Sequence, residues 1–145
     1  MPRPKAPLAS SDDIEQQFYE AMRHGDIDRV MALWADEDEI VCVHPAGPRR
    51  VGAAAIRASF EAIFAGGGVD VRTEQVRRLL LPGSAVHHVL ERVQALTDEG
   101  PRTAWVIATN VYMKAPQGWR LVLHHASPGS LEELHDVVEA AATLH

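Results

Sequence analysis

The sequence predicts an α+β domain in which a cone-shaped, curved antiparallel sheet packs on N-terminal helices and a further helix follows at the C-terminus. Three observations predict it. Helical apolar spacing dominates the first half, apart from one short strand. Four long strand-like runs then fill residues 69–127, separated only by turn-sized breaks. Those runs are apolar on both faces, which a sheet with one wet face would not be.

Helix one is expected from Asp12, with Glu15 three residues on as a capping-box partner. Ile14, Phe18, Ala21 and Met22 lie on one face, and Gly25 ends the helix. Asp26 caps helix two, whose stripe is Ile27, Val30, Met31 and Trp34. The acidic stretch from Asp36 to Glu39 reads as a solvated connection. Ile40–Val43 is a short strand stopped by Pro45 and Gly47. Helix three runs from Ala53 to Phe64 and stops at Gly66-Gly67-Gly68, where backbone entropy opposes its continuation. Strands follow at Val69–Leu81, Ala85–Thr97, Thr103–Lys114 and Trp119–Ser127. Their short connections require antiparallel hairpins, because a parallel crossover takes a dozen residues or more. After Pro128-Gly129, Ser130 and Glu133 have capping-box spacing. Leu131, Leu134, Val137, Val138 and Ala141 then form the stripe of a docked helix. Met1 to Ser10, rich in proline, reads as a disordered arm, leaving one domain over residues 11–145.

Composition narrows the function classes. The chain has 145 residues, enough for one domain with a core, and a formal net charge of -6 without a basic run. That balance argues against nucleic acid and anionic membrane as partners. No apolar stretch is long enough to span a bilayer, and no export signal is evident, so a cytoplasmic location is expected. The one cysteine, Cys42, excludes an internal disulfide and reads as a small buried hydrophobe. On the third long strand, Trp105, Ile107, Val111 and Met113 share one face, and Ala104, Val106, Ala108, Asn110 and Tyr112 the other. One face would cover the helices and the other would meet a second subunit, so a homodimer through the outer sheet face is expected.

The order of elements resembles the nuclear transport factor 2-like superfamily, also called SnoaL-like or cystatin-like. The residues that carry the resemblance are Gly25-Asp26-Ile27, Trp34-Ala35-Asp36, His44-Pro45-Ala46-Gly47, Gly52 with Ile56, and Gly118-Trp119. The superfamily holds ketosteroid isomerases, polyketide cyclases, dehydratases and the association domain of calcium/calmodulin-dependent kinase, so fold alone does not give function. In the isomerases a carboxylate general base precedes the proline that ends the first strand. The matching position here is His44. The isomerases' oxyanion-stabilising tyrosine matches Phe18, with Tyr19 expected to face elsewhere, so steroid isomerisation is not expected. The arginines of the kinase-domain pocket match Glu91, Asn110 and Ala126. That comparison implies that Glu91, Asn110 and His124 point inward.

The candidate site follows from these readings. His44, with an ordinary pKa near 6.5, suits a general base, or else is bonded to backbone at a strand end. Glu91 shares a face with Val89 and Val93 and is either a pocket acid/base with a raised pKa or the partner of an arginine. His124 and His125 point to opposite faces in a regular strand, and a bulge would exchange them; His87 and His88 pose the same choice. Asn110 and one of His124 and His125 would bind ligand, with Trp34 and Phe60 as core and pocket wall. Although His44, Glu91 and His124 suit zinc or iron, no close-spaced ligand motif is present, and no metal or other cofactor is expected. The resulting expectation is a small, largely apolar molecule in the cone, with isomerisation, dehydration or cyclisation by His44 or Glu91. The alternative is a non-catalytic dimerisation or ligand-sensing module.

Overall fold

The computed structural model describes residues 10–129. Helix α1 spans Ser11–His24, α2 Ile27–Ala32 and α3 Ala53–Phe64. Strands β1 Val41–Val43 and β2 Arg49–Val51 flank the turn at Pro45, and β3 Asp70–Leu81, β4 Ser84–Thr97, β5 Gly100–Ala115 and β6 Gly118–Pro128 follow. The expected C-terminal helix and all of the expected arm except Ser10 lie outside the described residues. No described helix is long and apolar enough to cross a membrane.

The six strands form one curved, unclosed sheet in the order β2-β1-β6-β5-β4-β3. The four long strands pair as antiparallel hairpins, as their turns require. One pairing departs from the expected antiparallel sheet: β1 lies parallel to β6, with Cys42 opposite His124. The chain enters β1 from the helices and returns through β2 and α3, so β1 takes the free edge of β6 in the same direction. Strand β2 was not expected, because its three residues, Arg49 to Val51, are exposed and carry no alternation.

Local chemistry sets the helix ends. Helix α1 begins one residue earlier than expected, at Ser11. Ser10 is the N-cap, its side chain accepting from the Asp13 amide at 3.1 Å. Glu15 therefore takes no part in a capping box and is buried instead. Asp26 caps α2 as its spacing predicts, accepting from the Arg29 amide. Gly25 ends α1 in the left-handed conformation (φ 63°), its amide donating back to the Ala21 and Met22 carbonyls. Of the three glycines after α3, Gly68 is required by contact: a Cβ there would overlap the Arg23 carbonyl oxygen.

The core lies between the helices and the concave face of the sheet. Ile14, Phe18, Ile56, Phe60, Val89, Ala108 and Tyr112 are fully buried there. Phe18 stands at its centre, edge-on to Phe60 (ring centres 6.1 Å apart) and to Tyr19 (5.3 Å). On β5 the face bearing Val106, Ala108, Asn110 and Tyr112 is buried, while Trp105, Ile107 and Val111 on the other face are half-buried and Met113 is exposed.

Candidate functional site

The register of the sheet carries a polar row straight across its concave face. Cys42 on β1 pairs with His124 on β6, His124 with Asn110 on β5, Asn110 with His87 on β4, and His87 with Arg78 on β3. The bulge in the β5–β6 pairing falls between Val111 and Tyr112, beyond this row, so period-two alternation holds from Leu123 onward. His124 accordingly points inward (2 % exposed) and His125 outward, exposed on the convex face. His87 and His88 divide in the same way.

Helix α1 lies over this row and supplies the missing partners. The Tyr19 hydroxyl donates to Glu91 Oε2 at 2.6 Å and accepts from Asn110 Nδ2 at 3.0 Å. With its NH2 so engaged, Asn110 presents Oδ1 to His124, whose Nδ1 stands 2.5 Å away. That contact makes Nδ1 the donor and leaves His124 Nε2 an acceptor without a partner among the described residues. The donors of the chain His124–Asn110–Tyr19–Glu91 thus all point toward the carboxyl group. Each member is buried.

Burial sets the protonation states. Glu91 is pushed from its ordinary 4.5 up to about 7, first by desolvation, against the Tyr19 hydrogen bond that lowers it, and with a raising contribution from the charge of Glu15. His124 is pushed from 6.5 down to about 3, chiefly by desolvation, with His44 and His125 adding to it. Desolvation, followed by the field of Glu91, raises the Tyr19 phenol well above its ordinary range. At neutral pH the chain therefore holds a neutral histidine, a neutral phenol and a carboxyl group near its midpoint.

His44 stands beside this chain without joining it. Its Nε2 lies 3.0 Å from Ser59 Oγ, which itself donates to the Ile56 carbonyl, so the His44 ring is the donor. Its ring meets Phe60 edge-on at 4.8 Å and lies 6.3 Å from that of His124. Desolvation, then the nearby Arg50, lowers its pKa. Cys42 is fully buried and its thiol is pushed up to about 12 by desolvation, which suits a core residue and not a thiolate nucleophile.

The candidates thus separate into groups. Glu91, Asn110 and His124 are hydrogen-bonded together, and His44 and Phe60 pack next to them. His125 is on the opposite face. Trp34 is buried at the end of α2, bridged to Leu121, and lines a groove of about 800 Å³ with Met31, Lys114 and Arg120. A smaller cavity of about 320 Å³ opens between α1 and β3, where Tyr19, Glu15, Arg23 and Arg78 line it.

Sequence reasoning missed Tyr19 and Glu15. Tyr19 was expected to face elsewhere and Glu15 to serve as a capping-box partner, because one apolar stripe was traced through Ile14, Phe18, Ala21 and Met22. Helix α1 instead buries two adjacent columns, Ile14–Phe18 and Glu15–Tyr19, because it is wedged between the sheet and the other helices. The available signal was the i, i+4 pair of Glu15 and Tyr19 directly beside the apolar stripe.

Comparison with known proteins agrees with the fold. The SnoaL-like domain family matches residues 12–130. A candidate calcium/calmodulin-dependent protein kinase type II association domain from Thiobacillus denitrificans superposes with a TM-score of 0.78 at 33% identity, over 87% of this chain and 100% of that one. A candidate dehydratase of the NTF2-like family from Streptomyces avermitilis gives 0.72 at 28% identity, over 80% and 91%. A Caulobacter vibrioides protein with a cystatin-like fold gives 0.68 at 16% identity, over 86% and 91%, a likeness of fold alone. No protein of curated function matches the sequence. The polar row on a curved sheet beneath α1 is therefore the interior of a known architecture, and the chain belongs to the SnoaL-like domain family of the NTF2-like superfamily.

Proposed function

We propose that the protein binds a small, largely apolar molecule against the concave face of the sheet and moves a proton on it, with Glu91 as the acid/base. One observation carries this reading: the Glu91 carboxyl group is buried and held by the Tyr19 hydroxyl at 2.6 Å, where desolvation pushes its pKa up to about 7. A group poised near the working pH is the most effective proton-transfer catalyst. Tyr19 fixes the carboxyl group through its one hydroxyl proton, and Nε2 of neutral His124 offers an acceptor for a donor group of the substrate. His44 is a second base at the β1 end. Phe18 and Phe60 supply apolar surface, and the cavity beside Tyr19 is the approach from solvent. The name of the Streptomyces neighbour, a dehydratase, fits chemistry of this class.

The test is hydrogen–deuterium exchange at the carbon next to a carbonyl, read by NMR on cyclohexanone in D2O. The wild type should accelerate exchange over buffer, and Glu91→Gln should lose about 100-fold or more of that acceleration. Wild-type exchange unchanged in both Glu91→Gln and His44→Ala would remove both residues from the role.

A second reading, a homo-oligomeric scaffold, draws on the convex face. Trp105, Ile107 and Val111 are only half-buried there, and Leu79, Leu81 and Met113 are exposed. The Thiobacillus neighbour is named as an association domain. A homodimer through this face predicts that the wild type sediments at twice the chain mass and that Ile107→Asp sediments as a folded monomer. A wild-type monomer at micromolar concentration would exclude it.

A further inference from the structure

A second buried cluster lies at the N-terminal end of α1, outside the chain that ends on Glu91. His87 is fully buried, and its two ring nitrogens are both engaged: Nδ1 is 2.7 Å from Glu15 Oε2, and Nε2 is 2.9 Å from Ser11 Oγ. The Tyr112 hydroxyl donates to the same Glu15 oxygen at 2.9 Å. Because Glu15 can only accept as a carboxylate, the imidazole proton belongs on Nδ1. Nε2 is then an acceptor, and it draws the Ser11 hydroxyl proton. Asp12 Oδ1 is 3.9 Å from His87 Nε2 and is itself held by Arg78 at 2.7 Å.

This is the order of contacts that activates a serine: hydroxyl to Nε2, Nδ1 to a carboxylate, and the carboxylate fixed by a further donor. Two more features favour attack on a carbonyl. Ser11 is the first residue of a 14-residue helix. The Asp13 and Ile14 amides are taken by Ser10, while those of Ser11 and Asp12 precede the first intrahelical bond and lie at the positive end of the helix dipole. Beside the cluster, Leu80 follows Arg78 on the same side of β3 and is 67 % exposed, giving an apolar rest for an acyl chain. We infer that Ser11, His87 and Glu15 form a nucleophilic acyl-transfer centre acting on small apolar carboxylic esters, with a base distinct from Glu91 although Glu15 and Tyr19 line one cavity.

In the step this geometry supports, the Ser11 oxygen bonds to the ester carbonyl carbon and its proton passes to His87 Nε2. The bond to the alcohol oxygen breaks, and the alcohol leaves with that proton. Water then attacks the acyl-serine through the same histidine, releasing the acid and restoring Ser11. The sequence consumes one ester and one water and yields one acid and one alcohol.

Diisopropyl fluorophosphate followed by peptide mass spectrometry tests the assignment. A single phosphoryl adduct on Ser11 is expected, formed about 100-fold more slowly in a folded His87→Gln variant. Ser11→Ala keeps the bonds among His87, Glu15 and Tyr112. It should fold as the wild type does and lose the hydrolysis of p-nitrophenyl acetate. A folded wild type without a Ser11 adduct, an adduct rate unaffected by His87→Gln, or equal hydrolysis by wild type and Ser11→Ala would each overturn it.

Discussion

Glu91→Gln is expected to gain stability relative to the wild type as pH rises from 5 to 7, by about 2 kcal/mol in urea unfolding. The sign follows from the two protonation states. Native Glu91 holds its proton up to about 7, whereas the unfolded chain releases it near 4.5. Between those values the native state binds the extra proton, so its contribution is full below 4.5 and is lost as pH climbs through 7. Glutamine removes the loss. His124 works in the opposite direction. Its native pKa is about 3 against an ordinary 6.5, so the unfolded chain binds the extra proton and stability is lost as pH falls through that window. His124→Asn should therefore lose stability relative to the wild type from pH 5 to 7, again by about 2 kcal/mol. In the wild type the two contributions nearly cancel over their shared range, and each single variant exposes the slope of the group that remains. Two variants with slopes of the same sign would contradict this assignment.

Tyr19→Phe is expected to cost roughly 2–4 kcal/mol, because Glu91 and Asn110 are buried and each unsatisfied group costs about 1–3 kcal/mol. The loss should be larger at pH 8 than at pH 5. The phenol stabilises the ionised carboxylate, so its removal lifts the Glu91 pKa further, and protonation at low pH relieves part of the damage. Ring packing against Phe18 survives, so the effect is assignable to the hydroxyl. A loss below about 0.5 kcal/mol at pH 8 would mean that the hydroxyl is replaced by water, and that the chain from His124 to Glu91 is not closed to solvent.

Much of this architecture was legible from local signals. Helix three and the four hairpin strands follow from turn chemistry and period, and the inward placement of Glu91, Asn110 and His124 follows from alternation anchored on a family resemblance. The rest was set by tertiary contact. Strand β2 carries no pattern because both of its faces are wet, and the parallel β1–β6 pairing is decided by which sheet edge the helices leave free. Tyr19 and Glu15 were missed because a polar residue beside an apolar stripe looks like the rim of a helix until the element packed over it is known. The network of Ser11, His87 and Glu15 joins residues more than seventy positions apart, a distance no spacing rule reaches.

Glu91 is a carboxyl group buried in the core whose pKa desolvation pushes up to about 7. The most direct test is an NMR titration of the side-chain carboxyl carbons after 13C-glutamate labelling, with the Glu91 resonance assigned by its absence in Glu91→Gln. A midpoint near 7, moving upward in Tyr19→Phe, is the predicted result. A midpoint near 4.5, unmoved by Tyr19→Phe, would place Glu91 in contact with water and contradict the account of the site.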